Sequence, residues 1–232
     1  MTMLSARAVA SAFVSWPPAR RKASYLAGSM FVVKDSSSRS SSDFPSGPML
    51  TIASLRRGTE LFAQDDNVEH VYVVLAGYVR LSFLLSDGRE MSVGLVGPGE
   101  FVGEEALAEA ERRPFSATVV ERCTIFRARG ESLSALFRAD ASLAMNLARH
   151  MSTRYAEMSA ALEDIAQGKV RDRLLRALRR IAGVKLTHHE IATFVGSTRE
   201  TVTVELAALM RAGAISRSPG CFTVLPPISH VS

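Results

Sequence analysis

Polar residues suited to reading nucleic acid lie close together near the C-terminus. Ser197 and Thr198 carry hydroxyls that can donate hydrogen bonds to phosphate, and a helix start attracts an anion through its free amides. Arg199 can donate two parallel hydrogen bonds to guanine, and Glu200 can accept one from cytosine N4. Thr203 follows about one helical turn later, near the same face. These residue types at this spacing indicate a surface that contacts double-stranded DNA.

Two predicted helix starts frame these residues. Thr187 precedes Glu190 by three residues, and Ser197 precedes Glu200 by the same interval, which is the spacing of a capping box. Gly196 lies between them, where a tight turn needs an unhindered backbone. The pattern predicts a helix-turn-helix whose second helix begins at about residue 198.

Two short β-rich runs follow, separated by a Ser-Pro-Gly turn at 218–220. They predict a β-hairpin wing, which makes the unit a winged helix-turn-helix. Arg217 lies in this wing, placed to contact backbone phosphate, and His188 is expected to contact phosphate from the first helix. The candidate DNA-binding residues are Thr187, His188, Ser197, Thr198, Arg199, Glu200, Thr203, Val204 and Arg217.

Charge is distributed unevenly along the chain. Residues 1–48 carry six Lys/Arg and two Asp/Glu, residues 49–168 carry 12 and 17, and residues 169–232 carry ten and four. A basic C-terminal unit joined to an acidic middle predicts two domains with different partners, the basic one suited to DNA.

Composition sets further bounds. Of the 232 residues, 47% are hydrophobic and 22% charged, which is typical of a globular protein. No apolar run reaches the ~18 residues of a membrane span, so no membrane partner is expected. Cys123 and Cys221 are too few for a disulfide framework or a four-thiolate iron–sulfur cluster, which favours a reducing, cytoplasmic location and predicts neither metal nor cofactor.

The elements that must position the C-terminal residues come earlier in the chain. Residues 49–132 alternate short β-rich runs with Gly and Asp-Gly turns and predict a β-barrel or sandwich. Residues 133–168 predict a long helix, ending at a hinge at Gln167 and Gly168. Residues 169–232 hold the winged helix-turn-helix. Residues 1–48 are serine-rich without persistent periodicity and are interpreted as a disordered extension or a misassigned start.

The long helix carries an apolar seam with spacings of 4, 3, 4 and 3, which is a heptad pattern. The seam can pack on the β-region of its own chain, or pair with a second copy in a homodimer. Its members are Met151, Tyr155, Met158, Leu162 and Ile165.

Residues 49–225 resemble the cAMP receptor protein/FNR family of bacterial transcription regulators. The order of elements matches, the run from Val195 to Val202 is similar to the family's most specific motif, and the run from Gly97 to Glu104 resembles its glycine-rich β-roll turn. The resemblance implies an α+β fold: an N-terminal cyclic-nucleotide-binding-type β-roll, a long dimerisation helix and a C-terminal winged helix-turn-helix. It also implies a homodimer that bends double-stranded DNA and positions RNA polymerase.

The sequence departs from the family pattern at one base-reading position and in the ligand-binding site. Arg199 and Glu200 match two base-reading positions of the family, but the third, usually basic, is Val204, which can only contact a thymine methyl. In cyclic-AMP binders a Gly-Glu pair is followed, about ten residues on, by Arg-Ser. Here Phe115 stands where that arginine is expected, and Met158 replaces the threonine of a Thr-Ser pair.

The resemblance therefore implies a modified ligand site, and the stretch from Phe101 to Leu107 looks more like effector-independent members from the Thermus and Deinococcus group. A regulator that does not depend on cyclic AMP is favoured, and whether a small-molecule effector binds stays open. The candidate ligand residues are Gly103, Glu104, Arg113, Ser116 and Ser159.

Three functional classes compete. A DNA-binding transcription regulator is favoured, either without an effector or dependent on a cyclic nucleotide or other small ligand. A ligand-regulated module without DNA binding is disfavoured, because such modules lack a winged helix-turn-helix. An enzyme is not expected, since no nucleophile–base pair, metal-ligand cluster or phosphate loop is recognised.

Overall fold

The computed structural model describes residues 34–35, 50–108, 110–139 and 141–226. The predicted extension at 1–48 lies outside the described residues, apart from Lys34 and Asp35. The chain divides into two compact units. The first takes in the described residues up to Leu81 and the range 96–155, and the second takes in the range 82–95 and the residues from Ala156 onward.

A five-stranded sheet has the strand order β1-β2-β9-β4-β7. Within it β1 runs parallel to β2, whereas β2–β9, β9–β4 and β4–β7 are antiparallel pairs. Antiparallel strands can be joined by short turns, which is why the β-rich runs follow each other so closely in sequence. Its strands are β1 (Lys34–Asp35), β2 (Leu50–Leu55), β4 (His70–Ala76), β7 (Phe101–Val102) and β9 (Cys123–Arg129).

A four-stranded sheet has the strand order β3-β8-β5-β6. Two strands of the β-region, β3 and β7, were not predicted, because two or three residues are too few to show an alternating pattern. The members of this sheet are β3 (Glu60–Phe62), β5 (Val79–Leu84), β6 (Glu90–Val96) and β8 (Ser116–Val119).

A core cluster of the first unit lies against the five-stranded sheet. Four successive residues of β4, from Val71 to Val74, are buried, so both faces of this interior strand are covered. Aromatic and aliphatic side chains from the sheet and the following helix complete the cluster. Its buried members are Ile52, Val71, Val73, Phe101, Phe126, Ala128 and Leu133.

Two helices follow the β-region: α1 (Gly130–Ala139) and α2 (Ala141–Gln167). The sequence predicted one helix over 133–166, and the structure has helical segments on both sides of residue 140, which lies outside the described residues. Helix α2 ends where the hinge was predicted. A 3₁₀ helix at Glu104–Leu107 begins at the end of the glycine-rich run that starts at Gly97.

Besides the range 82–95 and the end of α2, the second unit holds three helices and a hairpin: α3 (Val170–Arg180), α4 (His188–Val195), α5 (Arg199–Arg211), β10 (Ile215–Ser218) and β11 (Cys221–Val224). Leu174, Leu178, Ile191, Leu206 and Leu209 are almost fully buried in this unit, which has its own apolar core. The predicted α+β class is confirmed.

Candidate nucleic-acid interface

The start of helix α4 is a capping box, as the sequence predicted. Thr187 adopts an extended conformation, and its side-chain oxygen accepts a hydrogen bond from the backbone amide of Glu190 at 3.2 Å. The Glu190 carboxylate in turn accepts a hydrogen bond from the backbone amide of Thr187 at 2.7 Å. Two amides without a helical partner are thereby satisfied, which holds this end of α4 in place.

The turn after α4 is built on Gly196, which has a φ of +63°. A side chain is strained in that left-handed conformation, whereas glycine adopts it freely. Ser197 lies just beyond and donates its backbone amide to the carbonyl of Ala192 at 3.1 Å. Ser197 therefore still closes the preceding helix.

The second capping box, predicted at Ser197 and Glu200, is wrong: the N-cap lies one residue later and makes a single cap hydrogen bond to a backbone amide. Thr198 is the N-cap of α5, and its hydroxyl oxygen accepts a hydrogen bond from the amide of Thr201 at 3.2 Å. The carbonyl of Thr198 accepts the first helical hydrogen bond of α5, from the amide of Val202 at 3.0 Å. The amide of Ser197 is bonded to Ala192 of α4, so it is not available to Glu200. The predicted start of α5 at about residue 198 is confirmed.

Helix α5 divides cleanly into a buried and an exposed face. Val202, Leu206 and Leu209 are buried at the spacing of one helical face. The opposite face presents polar side chains with one exposed valine, and Val204 is 64% exposed. The exposed residues at the N-terminal end are Thr198, Arg199, Glu200, Thr203 and Val204.

The predicted wing is an antiparallel hairpin. Residues 215–218 pair with residues 221–224, and Arg217 lies directly opposite Phe222. The Arg217 guanidinium is 5.9 Å from the centre of the Phe222 ring, and Arg217 is exposed. An arginine beside an aromatic ring can pack its aliphatic part against the ring while its guanidinium charge stays exposed to solvent.

A histidine joins the three parts of this surface. The Nδ1 atom of His188, in the first residue of α4, lies 2.9 Å from the Thr203 hydroxyl of α5. The His188 ring is 5.9 Å from the Phe222 ring of the wing. Burial, followed by the charges of Arg217 and Arg199, lowers the pKa of His188 below its ordinary value. Both His188 and Thr203 were predicted as DNA-binding residues, but their contact was not predicted, because they are 15 residues apart in the chain.

The candidate ligand residues of the first unit surround the 3₁₀ turn. Gly103 has a φ of +80°, and a Cβ there would lie 2.7 Å from Nη1 of Arg113. Arg113 is almost fully buried. It donates hydrogen bonds to the carbonyls of Gly103 and His70 at 3.2 and 2.7 Å, and to the Glu105 carboxylate at 2.7 Å. Its guanidinium also lies 4.1 Å from the centre of the Phe62 ring.

Glu104 forms an ion pair with Arg154 of α2, a residue that was not among the predicted site residues. Arg154 also donates a hydrogen bond to the carbonyl of Phe101 at 2.6 Å. Burial raises the pKa of Glu104 above its ordinary value, although the charge of Arg154 acts in the opposite direction. Arg154 lies one helical turn before Met158, but no sequence pattern indicated which carboxylate it would meet.

The other candidates occupy separate places. The Ser116 hydroxyl oxygen accepts a hydrogen bond from the backbone amide of Gln64 at 2.9 Å. Ser159 lies on α2 in the second unit and is partly buried. On the predicted seam Tyr155 is 75% exposed, and Met151 and Met158 are partly buried. Leu162 and Ile165 lie further along the same helix.

The helices in the described part of the chain lack the length and hydrophobicity of a membrane span. Among the same residues, no group of three or more His, Cys, Asp and Glu side chains is arranged to hold a metal ion.

Two family models match the chain. A cyclic nucleotide-binding domain matches residues 52–140, and a Crp-like helix-turn-helix domain matches residues 168–227. The chain is 34% identical over 174 residues to the cyclic AMP receptor protein of Thermus thermophilus, covering 72% of this chain and 81% of that protein. It is 33% identical over 169 residues to the transcriptional regulator SdrP of the same organism, covering 68% and 80%.

A solved structure supports the same relationship. The crystal structure of a transcriptional regulator of the CRP/FNR family from Thermus thermophilus superposes with a TM-score of 0.62 at 29% identity, covering 75% of this chain and 93% of that one. A sensor-type β-unit and a winged helix-turn-helix together define a class of DNA-binding regulators. The chain belongs to the Crp/Fnr family of transcription regulators.

Proposed function

We propose that the chain is a dimeric, sequence-specific DNA-binding transcription regulator whose DNA binding does not require cyclic AMP. The observation that carries the DNA-binding part is the exposed end of α5, where Arg199, Glu200, Thr203 and Val204 project from a helix whose opposite face is buried. A recognition helix contacts base edges with residues at its N-terminal end. Arg199 pairs with guanine, Glu200 with cytosine, and Val204 with a thymine methyl.

Contacts to the DNA backbone come from the surrounding residues. Thr187, Ser197 and Thr198 are at helix starts, and Arg217 is on the wing, which are the places from which proteins donate to phosphate. The C-terminal 64 residues carry ten basic and four acidic side chains, so the phosphate attraction is sequence-independent and depends on salt.

Dimerisation is proposed through α2. Tyr155 is exposed on a seam of heptad spacing, and a large exposed apolar ring on such a seam is suited to burial against a second copy. A two-fold dimer places two recognition helices about one turn of DNA apart, so the target is a near-palindrome. Bound to such a site beside a promoter, the dimer would bend DNA and contact RNA polymerase.

Independence from cyclic AMP is supported by the contacts of the 3₁₀ turn. The cyclic phosphate needs a cation, and Arg113 is already engaged by two carbonyls, a carboxylate and an aromatic ring. The Glu104 carboxylate, which corresponds to the ribose-binding group of cyclic-AMP binders, is paired with Arg154. A nucleotide would have to displace these contacts before it gained any of its own.

A second candidate is a regulator that does respond to a cyclic nucleotide. The observation that favours it is Glu104, whose buried Oε2 receives no hydrogen bond from the described residues, and a ligand hydroxyl would supply one. One relative is named a cyclic AMP receptor protein. The two candidates differ only in the role of the first unit.

The test is a selection of random double-stranded DNA on the full-length chain, with and without cyclic AMP. Enrichment of the same near-palindrome in both arms supports the proposal. Enrichment only with the nucleotide supports the second candidate. Enrichment of nothing in either arm, at moderate salt, contradicts sequence-specific DNA binding.

A further inference from the structure

His188 is hydrogen-bonded to a side chain of the recognition helix, and the direction of that bond can be worked out. The Thr203 hydroxyl has one hydrogen, which it donates to the backbone carbonyl of Arg199 at 2.8 Å. Toward His188, 2.9 Å away, the Thr203 oxygen must therefore accept. The donor in that second bond is the N–H at Nδ1 of His188.

The proton on Nδ1 determines whether Nε2, the other ring nitrogen of His188, is a hydrogen-bond donor or acceptor. A neutral imidazole carries a single N–H, so a proton held on Nδ1 leaves Nε2 as a bare acceptor. An acceptor is unsuited to phosphate, whose oxygens need donors. When Nε2 takes up a proton, the ring becomes a cation that donates from both nitrogens, and the bond to Thr203 is kept.

The surroundings of the ring disfavour its protonated form in the free chain. Burial, and then the positive charges of Arg217 on β10 and Arg199 on α5, lower the pKa of His188. On α4 itself, Glu190 is held in the capping box with Thr187. On the wing, the ring meets Phe222, which carries no charge. DNA phosphates would reverse this balance, because they bring negative charge to the same surface.

We infer that His188 is a proton-linked DNA contact: its neutral ring orients Thr203 through Nδ1 in the free chain, and Nε2 takes up a proton from solvent when phosphate binds. The inference rests on the proposed function, since it requires DNA at this surface. Its consequence is tighter binding at lower pH. The gain in affinity is fully present below the pKa of His188 in the free chain and is lost as the pH rises through its pKa in the complex.

The hydrogen-bond half of the inference can be tested without DNA. Nitrogen-15 chemical shifts of the histidine rings in the full-length chain distinguish the two neutral forms. We expect His188 to be protonated at Nδ1 at pH 8, and Thr203→Val, which removes the acceptor, to shift its population toward the Nε2–H form. A wild-type ring protonated at Nε2 would overturn the inference.

Proton uptake on DNA binding is tested by calorimetric titration of the full-length chain. One titration uses a duplex enriched in the selection, and another uses a scrambled duplex of equal composition. Repeating the titration near pH 7 in buffers of different ionisation enthalpy counts the protons taken up. We expect uptake approaching one proton per bound subunit, and an affinity that rises up to about tenfold per subunit for each unit of pH lowered. Both duplexes should show the uptake, because the contact is to phosphate.

Two variants make the assignment specific. His188→Asn keeps an amide donor for Thr203 but cannot titrate, so uptake and pH dependence should be lost. His189→Gln, at the exposed neighbouring histidine, is the matched control and should keep both. Binding without proton uptake, or equal uptake by His188→Asn, would overturn the inference and leave the proposed function standing. Failure of the wild-type chain to bind either duplex at any pH would overturn both.

Discussion

Arg154 and Glu104 form an ion pair that links helix α2 to the 3₁₀ turn of the β-unit, with side chains only 14% and 17% exposed. Because Arg154 also bonds to the carbonyl of Phe101, its guanidinium ties two points of the turn to the helix. Removing one partner of a mostly buried pair leaves the other charge without compensation.

The first prediction concerns this pair. Arg154→Met should lower the free energy of unfolding of the first unit at pH 7 by about 3 kcal/mol, the low end for buried pairs, because Glu104 retains some access to water. Chemical denaturation of the full-length chain measures it. The double variant with Glu104→Gln, which removes the uncompensated charge, should recover most of the loss.

The same variant has a defined pH dependence. The pKa of Glu104 is raised in the folded chain, so its contribution to stability is full below its unfolded pKa and is lost as the pH rises through the folded pKa. Without Arg154 that pKa rises further. The penalty of Arg154→Met should therefore be small at pH 4 and grow toward pH 7. A penalty that is constant across this range would mean that lost packing, not charge, explains it.

The second prediction concerns base reading by Arg199. Arg199→Ala should weaken binding to the selected duplex by about 1–3 kcal/mol and relax the preference at one guanine. Arg211→Ala removes the same charge from the far end of α5 and serves as the control. Titration of both variants against selected and scrambled duplexes separates a loss of base recognition from a loss of phosphate contact. An equal loss on both duplexes for Arg199→Ala would show contact with phosphate only.

The third prediction concerns Val204, which can offer only an apolar contact to a base. Val204→Arg adds a two-pronged donor at an exposed position of α5, so the preferred base at one position of each half-site should change to guanine. Repeating the DNA selection with the variant checks this. An unchanged site would show that Val204 lies away from the bases.

The fourth prediction concerns the seam on α2. Met158→Glu introduces a charge where we expect a subunit contact, and should shift the sedimentation mass from dimer to monomer. Thr153→Glu places the same side chain at an exposed position off the seam and should leave the mass unchanged. If Met158→Glu sediments like the wild type, α2 is not the interface.

The fifth prediction concerns the two cysteines. Burial, with a smaller effect of Glu121, raises the pKa of Cys123 to about 12, whereas Cys221 is partly exposed in the wing. A thiol reacts as its thiolate, so at pH 8 the native chain should react rapidly with one equivalent of a disulfide reagent, and with two after denaturation. Cys221→Ser should abolish the rapid phase, and Cys123→Ala should keep it. Two rapid equivalents in the native state would contradict the burial of Cys123.

Short-range sequence patterns predicted most of the helices, strands and turns of the fold. The capping box at Thr187, the glycine at 196 and the β-hairpin with its turn at 218–220 depend on residues within a few positions of one another, so they can be read from the chain directly. The same holds for the buried face of α5. The predicted N-cap of that helix is wrong by one residue. The backbone amide of Ser197 is hydrogen-bonded to Ala192 of the preceding helix, and the first hydrogen bond of α5 is accepted by Thr198.

Charge, cap spacing and the run around Arg199 were enough by themselves to indicate a DNA-binding regulator, since those features depend on residue type and local order. The partners of the buried ionisable groups were decided only by tertiary structure. Arg113 reaches His70 across 43 positions and Arg154 reaches Glu104 across 50. A hydrogen bond forms where folding brings donor and acceptor within about 3 Å, and sequence distance does not determine that separation.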